Sequence, residues 1–205
     1  MKIHYLFLKS INNKLLMCMS ILPITVYGDK ILRKKVSQVT NIDDKTIELI
    51  RFMFDTMRNA NGIGLAANQV GVNKSIFVVD ISPVENYEKY KPVTMINPQI
   101  VNKSDKTVGI EEGCLSIPDI RAEVIRPKEI SIKYHDIDLK EKQIDAGDLF
   151  ARVIQHEYDH LKGILFIDLI SDELKKELNK PLKSIQKRKI TIDYPISENT
   201  DYRLL

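Results

Sequence analysis

The sequence predicts a mixed α+β chain, on three observations. Apolar residues recur at helical spacing over residues 44–59, where Ile47, Ile50, Phe54 and Met57 share one side. Leu149, Val153, His156 and His160 repeat that spacing nearer the C-terminus. Between the two, from Ser75 to Ala146, the chain changes to short runs of strand type such as Ile76-Phe77-Val78-Val79. The 205 residues, 43% hydrophobic and 29% charged, suit one globular domain with a sizeable core. A net charge of +3 is too small to argue for specific DNA binding, and the longest uncharged apolar run is too short to span a membrane. Two cysteines, Cys18 and Cys114, make no disulfide framework, which points to a reducing, cytoplasmic compartment.

Taken in order, residues 1–18 begin apolar but are interrupted by Lys9, Asn12, Asn13 and Lys14. They lack the long apolar centre of a secretory signal and are expected to be a leader or a disordered extension. Ile21 to Val26 reads as extended, Gly28-Asp29 as a turn, and Ile31 to Lys34 as one helical turn. Asn41 to Asp44 offers capping side chains for the helix at 44–59. Gly62 to Gly71 is a small-residue stretch; it suits either a tight loop under a sheet or a place where backbone approaches a ligand closely.

Residues 83–92, with two prolines, read as a surface loop. Thr94 to Val101 reads as a strand, with Asn97-Pro98 marking an edge or a bulge. Residues 121–126 and 129–135 are two further strands joined at Arg126-Pro127-Lys128, and 142–146 is a weaker one. Asp148 is placed to cap the histidine-bearing helix and Gly163 to end it. Ser171 to about Lys189 should be a charged helix, kinked or split by Pro181. Residues 190–205 offer few apolar contacts and are expected to form a loosely held tail.

The chemistry gathers at Gln155-His156-Glu157-Tyr158-Asp159-His160. Two imidazoles one turn apart can grip a single ion, and Glu157 can reach a water beside it. The same pattern also fits an amphipathic helix carrying two core histidines. A zinc-class ion needs at least three protein ligands, and Cys114 is the best third candidate, set against the alternative of a small buried apolar residue.

Three stretches then resemble the signatures of peptide deformylases: GIGLAANQ at 62–69, EGCLS at 112–116 and QHEYDHLKG at 155–163, in the family's order and with similar separations. The resemblance extends from about Ile21 to about Lys189, within a catalytic domain placed at 19–189. It implies small antiparallel β-sheets packed around a central metal-binding HExxH helix, with a C-terminal helix. It implies removal of the formyl group from the N-terminal formylmethionine of newly synthesised proteins. Residue by residue, it implies Cys114, His156 and His160 as metal ligands and Glu157 as general base and acid. Gln69 and the Leu115 N–H would bind the oxyanion, Ile63 and Gly64 would line the substrate backbone, and Glu112 and Arg121 would form the polar surroundings of the ligands. The expected ion is Fe2+, with Zn2+, Ni2+ or Co2+ as substitutes.

These residue types suit the reaction. A formamide is a poor electrophile, so its oxygen needs fixed donors as charge develops, each worth on the order of 3 kcal/mol. Its nitrogen leaves only once protonated, which asks for a carboxyl group that can carry a proton. A zinc peptidase of the HExxH class would usually take a third His or Glu, and no His follows His160. A purely structural metal site would need neither Glu157 nor Gln69. The segment 171–189 carries seven Lys or Arg residues, and because the substrate is a nascent chain it is expected to dock on the ribosome. Helix electrostatics alone also favours acids early and bases late in such a helix.

Overall fold

A computed structural model describes residues 21–204; the expectation for residues 1–18 lies outside them. The α-helices are α1 (Asp44–Asn59), α2 (Asp148–His160) and α3 (Asp172–Gln186). The strands are β1 (Gly64–Ala66), β2 (Ile76–Val79), β3 (Val93–Lys103), β4 (Thr107–Cys114), β5 (Ile117–Pro127), β6 (Glu129–His135) and β7 (Glu141–Gly147). They form a five-stranded antiparallel sheet in the order β1-β2-β3-β6-β7 and a separate hairpin, β4-β5. The fold is α+β, as the sequence predicts. No helix among the described residues is long and apolar enough to cross a membrane.

Helix α2 lies between the sheet and the hairpin, and strand periodicity explains how. In β2, Phe77 and Val79 pack with Ile154 and Ala151 of α2, while Ile76 and Val78 pack with Met53 and Met57 of α1. Successive side chains point to opposite faces, so a strand covered on both faces reads as an unbroken apolar run. The hairpin forms a third cluster with α3, in which Val124 and Ile117 meet Leu182 and Ile185. Burying side chains of this size contributes about 1.5–3 kcal/mol each.

Local chemistry sets most element ends. Asp43 Oδ1 accepts from the Thr46 N–H at 2.8 Å and caps α1. The buried stripe of α1 is Leu49, Ile50, Met53 and Met57; Ile47, placed on that face by spacing, is 44% exposed. The bulge at Asn97-Pro98 is present: the β3–β6 register shifts there and Asn97 adopts φ 50°. Asn tolerates that region, and its side chain exchanges two hydrogen bonds with Val39, at 2.8 and 2.7 Å. Gly163 ends α2 at φ 77°, where a Cβ would stand 2.7 Å from the Arg33 carbonyl.

Four expectations change. Strand β4 is absent from the pattern reading. Gly147, not Asp148, caps α2, because β7 runs into the helix with no connecting residue and Asp148 takes the left-handed turn (φ 49°). Helix α3 runs unbroken through Pro181; the missing N–H frees only the exposed Glu177 carbonyl, while Leu182 and Ile185 anchor the next turn. The tail is not loosely held. Its Ile196 bridges Ile24, Ser197 is fully buried, and Asp29 accepts hydrogen bonds from Arg188 and Ser197.

Candidate metal centre and cleft

The hairpin and α2 bring three donors together. Cys114 Sγ lies 3.1 Å from His160 Nε2, and His160 Nε2 lies 3.3 Å from His156 Nε2. All three ligand atoms fall within 4.8 Å of one another. Three donors this close together can share one ion. Burial holds His160 well below its usual pKa, which keeps a lone pair available.

Behind the donors stands a buried charge network. Glu112 is 5% exposed. It accepts from His156 Nδ1 at 2.9 Å, from Arg126 at 2.6 and 3.1 Å, and from Arg152 at 2.7 Å. The bond to Nδ1 turns Nε2 toward the site. Arg126 also reaches Asp159 at 2.5 Å, and Arg152 donates to the Val124 and Val108 carbonyls, both at 2.6 Å. Burial alone would raise the Glu112 pKa; hydrogen bonds from His156 and Arg126 outweigh it and hold it well below the usual carboxylate range.

Arg121 stands on the wall of the cleft described below, outside the buried network around Glu112. It projects from the outer face of the hairpin, 3.9 Å from Glu111. The partners the sequence reading missed are Arg126 and Arg152. Both carried a signal: Arg126 is in phase with inward Ala122 and Val124, and Arg152 stands one turn before His156, as His156 does before His160.

A cleft of about 650 Å³ opens onto these groups, lined by Ile63, Gly64, Gln69, Cys114, Leu115 and Glu157, with Glu112 and Arg121 also on its wall. Glu157 is 3% exposed, and its Oε2 has no hydrogen-bond partner among the described residues. Burial pushes its pKa up to about 7, with the Glu112 charge adding and the His156 and Arg126 charges opposing. Gly64 leaves room for it: a Cβ there would stand 2.4 Å from Glu157 Oε1. Gln69 is held from both ends. Its Oε1 accepts from the Ala66 N–H at 2.7 Å, and its Nε2 faces Ser116 Oγ at 3.2 Å and Cys114 Sγ at 3.5 Å. Gly62–Gly71 is thus not a plain loop: β1 forms the sheet edge at the cleft, and a 3-10 turn, Ala67–Val70, carries Gln69. The tail, residues 191–194, adds to this wall, where the sequence reading did not place it.

Comparison with known proteins gives one consistent result. Residues 21–176 match the family model described as polypeptide deformylase. The chain is 44% identical over 178 residues to a peptide deformylase of Prosthecochloris aestuarii, covering 87% of this chain and 95% of that protein. It is 43% identical over 188 residues to one of Salinibacter ruber, covering 88% and 96%. Among solved structures, it superposes on peptide deformylase 1B of Arabidopsis thaliana with a TM-score of 0.76 at 38% identity, over 82% of this chain and 91% of that one. The Ehrlichia chaffeensis enzyme gives 0.75 at 34%, over 82% and 97%.

Proposed function

The chain belongs to the polypeptide deformylase family, and from that membership we infer how its own residues divide the removal of the N-terminal formyl group from newly synthesised peptides. It is a hydrolase of a linear amide, releasing formate. Cys114, His156 and His160 would hold the ion, which when bound supplies a Lewis acid and activates water at neutral pH. Glu157, buried beside the three donors, takes the proton of the attacking water and passes it to the departing amine. Gln69 Nε2–H and the Leu115 N–H donate to the formyl oxygen as it gains charge. The substrate backbone adds along β1, an edge strand whose Gly64 carries no side chain to obstruct it. Glu112 keeps His156 oriented, and Arg126 and Arg152 keep Glu112 charged.

The observation that carries this division is the convergence of the three donors, Glu157 and Gln69 on one cleft. Formate release from an N-formylmethionyl peptide and metal content, measured on one anaerobic preparation, test it. In Glu157→Gln the ion stays and turnover falls about 10²–10⁴-fold; wild-type turnover in that variant removes Glu157 from the mechanism. The same metal analysis tests Fe2+ as the resident ion, a reading that rests on family membership because a Cys-His-His donor set suits Zn2+ equally, with Zn2+, Ni2+ or Co2+ as substitutes.

Substrate and charge together support a cytoplasmic enzyme that waits at the ribosome. Lys176, Lys180, Lys183, Lys187 and Lys189 line one shallow groove on α3 and the residues after it. Arg188 turns inward to Asp29 and takes no part. Reversing Lys176, Lys180 and Lys183 to Glu should abolish low-salt co-sedimentation with ribosomes and leave formate release from a free peptide unchanged.

A further inference from the structure

Thr191–Tyr194 line the cleft, yet they lie beyond the stretch matched by the family model, residues 21–176. Tyr194 is hydrogen-bonded to the turn of the hairpin. Its hydroxyl donates to the Leu115 carbonyl at 2.8 Å, across 79 positions of sequence. Leu115 and Ser116 are the two turn residues of the β4-β5 hairpin, since Cys114 pairs with Ile117. The first residue of such a turn has neither its N–H nor its C=O in the ladder, so its orientation depends on other partners. Cys114, paired in the hairpin, anchors one end of the peptide plane that carries the Leu115 N–H, and the tilt of that plane follows the Leu115 dihedrals and so the plane after it. The Tyr194 hydroxyl sets the next plane, which carries the Leu115 carbonyl, and the Tyr27 N–H sets the one after it by donating to Ser116 O at 2.8 Å.

Tyr194 is itself anchored. Pro195 confines it to extended backbone. Ile24 N–H donates to Pro195 O at 2.9 Å, and Ser197 N–H returns to Ile24 O at 2.9 Å. The next residue, Thr25, donates its N–H to Gln69 O at 2.8 Å. One continuous set of hydrogen bonds therefore joins the tail to both residues that carry the formyl-oxygen donors. Burial, helped by the Cys114 and Asp119 charges, holds the Tyr194 hydroxyl well above its ordinary pKa, so it remains a donor.

We propose that Tyr194 is a positioning residue for deformylation: by holding the Leu115 carbonyl, it aims the Leu115 N–H at the formyl oxygen. The proposal rests on the reading of Leu115 and Gln69 as donors to that oxygen. Its test is Tyr194→Phe, which keeps the ring and removes the hydroxyl, assayed as metal-loaded enzyme beside wild type and Gln69→Ala. Misaiming one donor lowers kcat about tenfold while KM stays within about twofold, because the interaction matters only as charge develops. Metal content and melting temperature stay at wild-type values. An unchanged kcat overturns the proposal, and so does a fall in kcat matched by loss of metal. If Gln69→Ala loses turnover and Tyr194→Phe does not, only the role of Tyr194 is lost; if neither loses it, the donor reading fails as well.

Discussion

Glu111 and Glu112 are neighbours on β4, and Arg121 and Arg126 lie on the strand paired with it. The two Glu–Arg pairs have the same chemistry and opposite roles. On the outer face, Glu111 and Arg121 stand 3.9 Å apart with side chains 65% and 68% exposed. Such pairs contribute about 0–1 kcal/mol, because water already solvates both charges. On the inner face, Glu112 and Arg126 meet at 2.6 Å, away from solvent, with Arg152, Asp159 and His156 completing the network. There each charge depends on its neighbours, and removing one strands another. Strand alternation assigns the pairs to faces, and burial alone separates a surface pair from one that holds His156 in place.

Substitutions along the hairpin break this comparison in graded steps. The largest effect belongs to Cys114, which sits at the cleft end of the inner row. Cys114→Ser should lose the ion on dialysis and with it formate release, because a serine hydroxyl stays protonated near neutral pH where a thiol ionises readily. Full metal retention after dialysis would remove the thiolate from the ligand set.

Arg126→Met follows. It leaves Glu112 and Asp159 short of a buried cation and should cost about 3–5 kcal/mol of stability. Urea unfolding reads this as a lower midpoint at unchanged slope; a shift no larger than that of Arg121→Ala would place the two arginines on one footing.

Glu112→Gln is milder in volume and sharper in pH. It should weaken metal binding about 10–100-fold by loosening His156. In the folded protein the Glu112 pKa lies below its ordinary 4.5, so its stabilisation is fully present above that value. It is lost as pH falls from there through the folded value. Glu112→Gln should therefore flatten the acid limb of the stability profile, whereas Glu111→Gln should leave it intact. Equal acid limbs in the two variants would contradict the assignment.

The smallest effect is Arg121→Ala, expected to change stability by less than about 0.5 kcal/mol. A thermal melt showing more than about 1 kcal/mol would mean that the outer pair is not a simple surface pair.

The sequence by itself determined the elements whose pattern is local. The helices around Met57 and His156, the buried run of β2, the bulge at Asn97-Pro98 and the stop at Gly163 all follow from spacing or from one residue's backbone preference. It also held the three motifs that name the family and the donor set. Strand β4 escaped the pattern because its inward row ends in Glu112 and Cys114, which break the apolar alternation, and its outward row contains Gly109 and Gly113. Tertiary structure decided which guanidiniums meet Glu112, since Arg126 and Arg152 lie 14 and 40 positions from it. It also decided that the tail docks, through Tyr194 at the cleft and through Ser197 on Asp29. Local spacing is set by bonds along one segment, so it can be read before folding. A buried ion pair or a docked tail exists only once distant segments share a surface from which water has left.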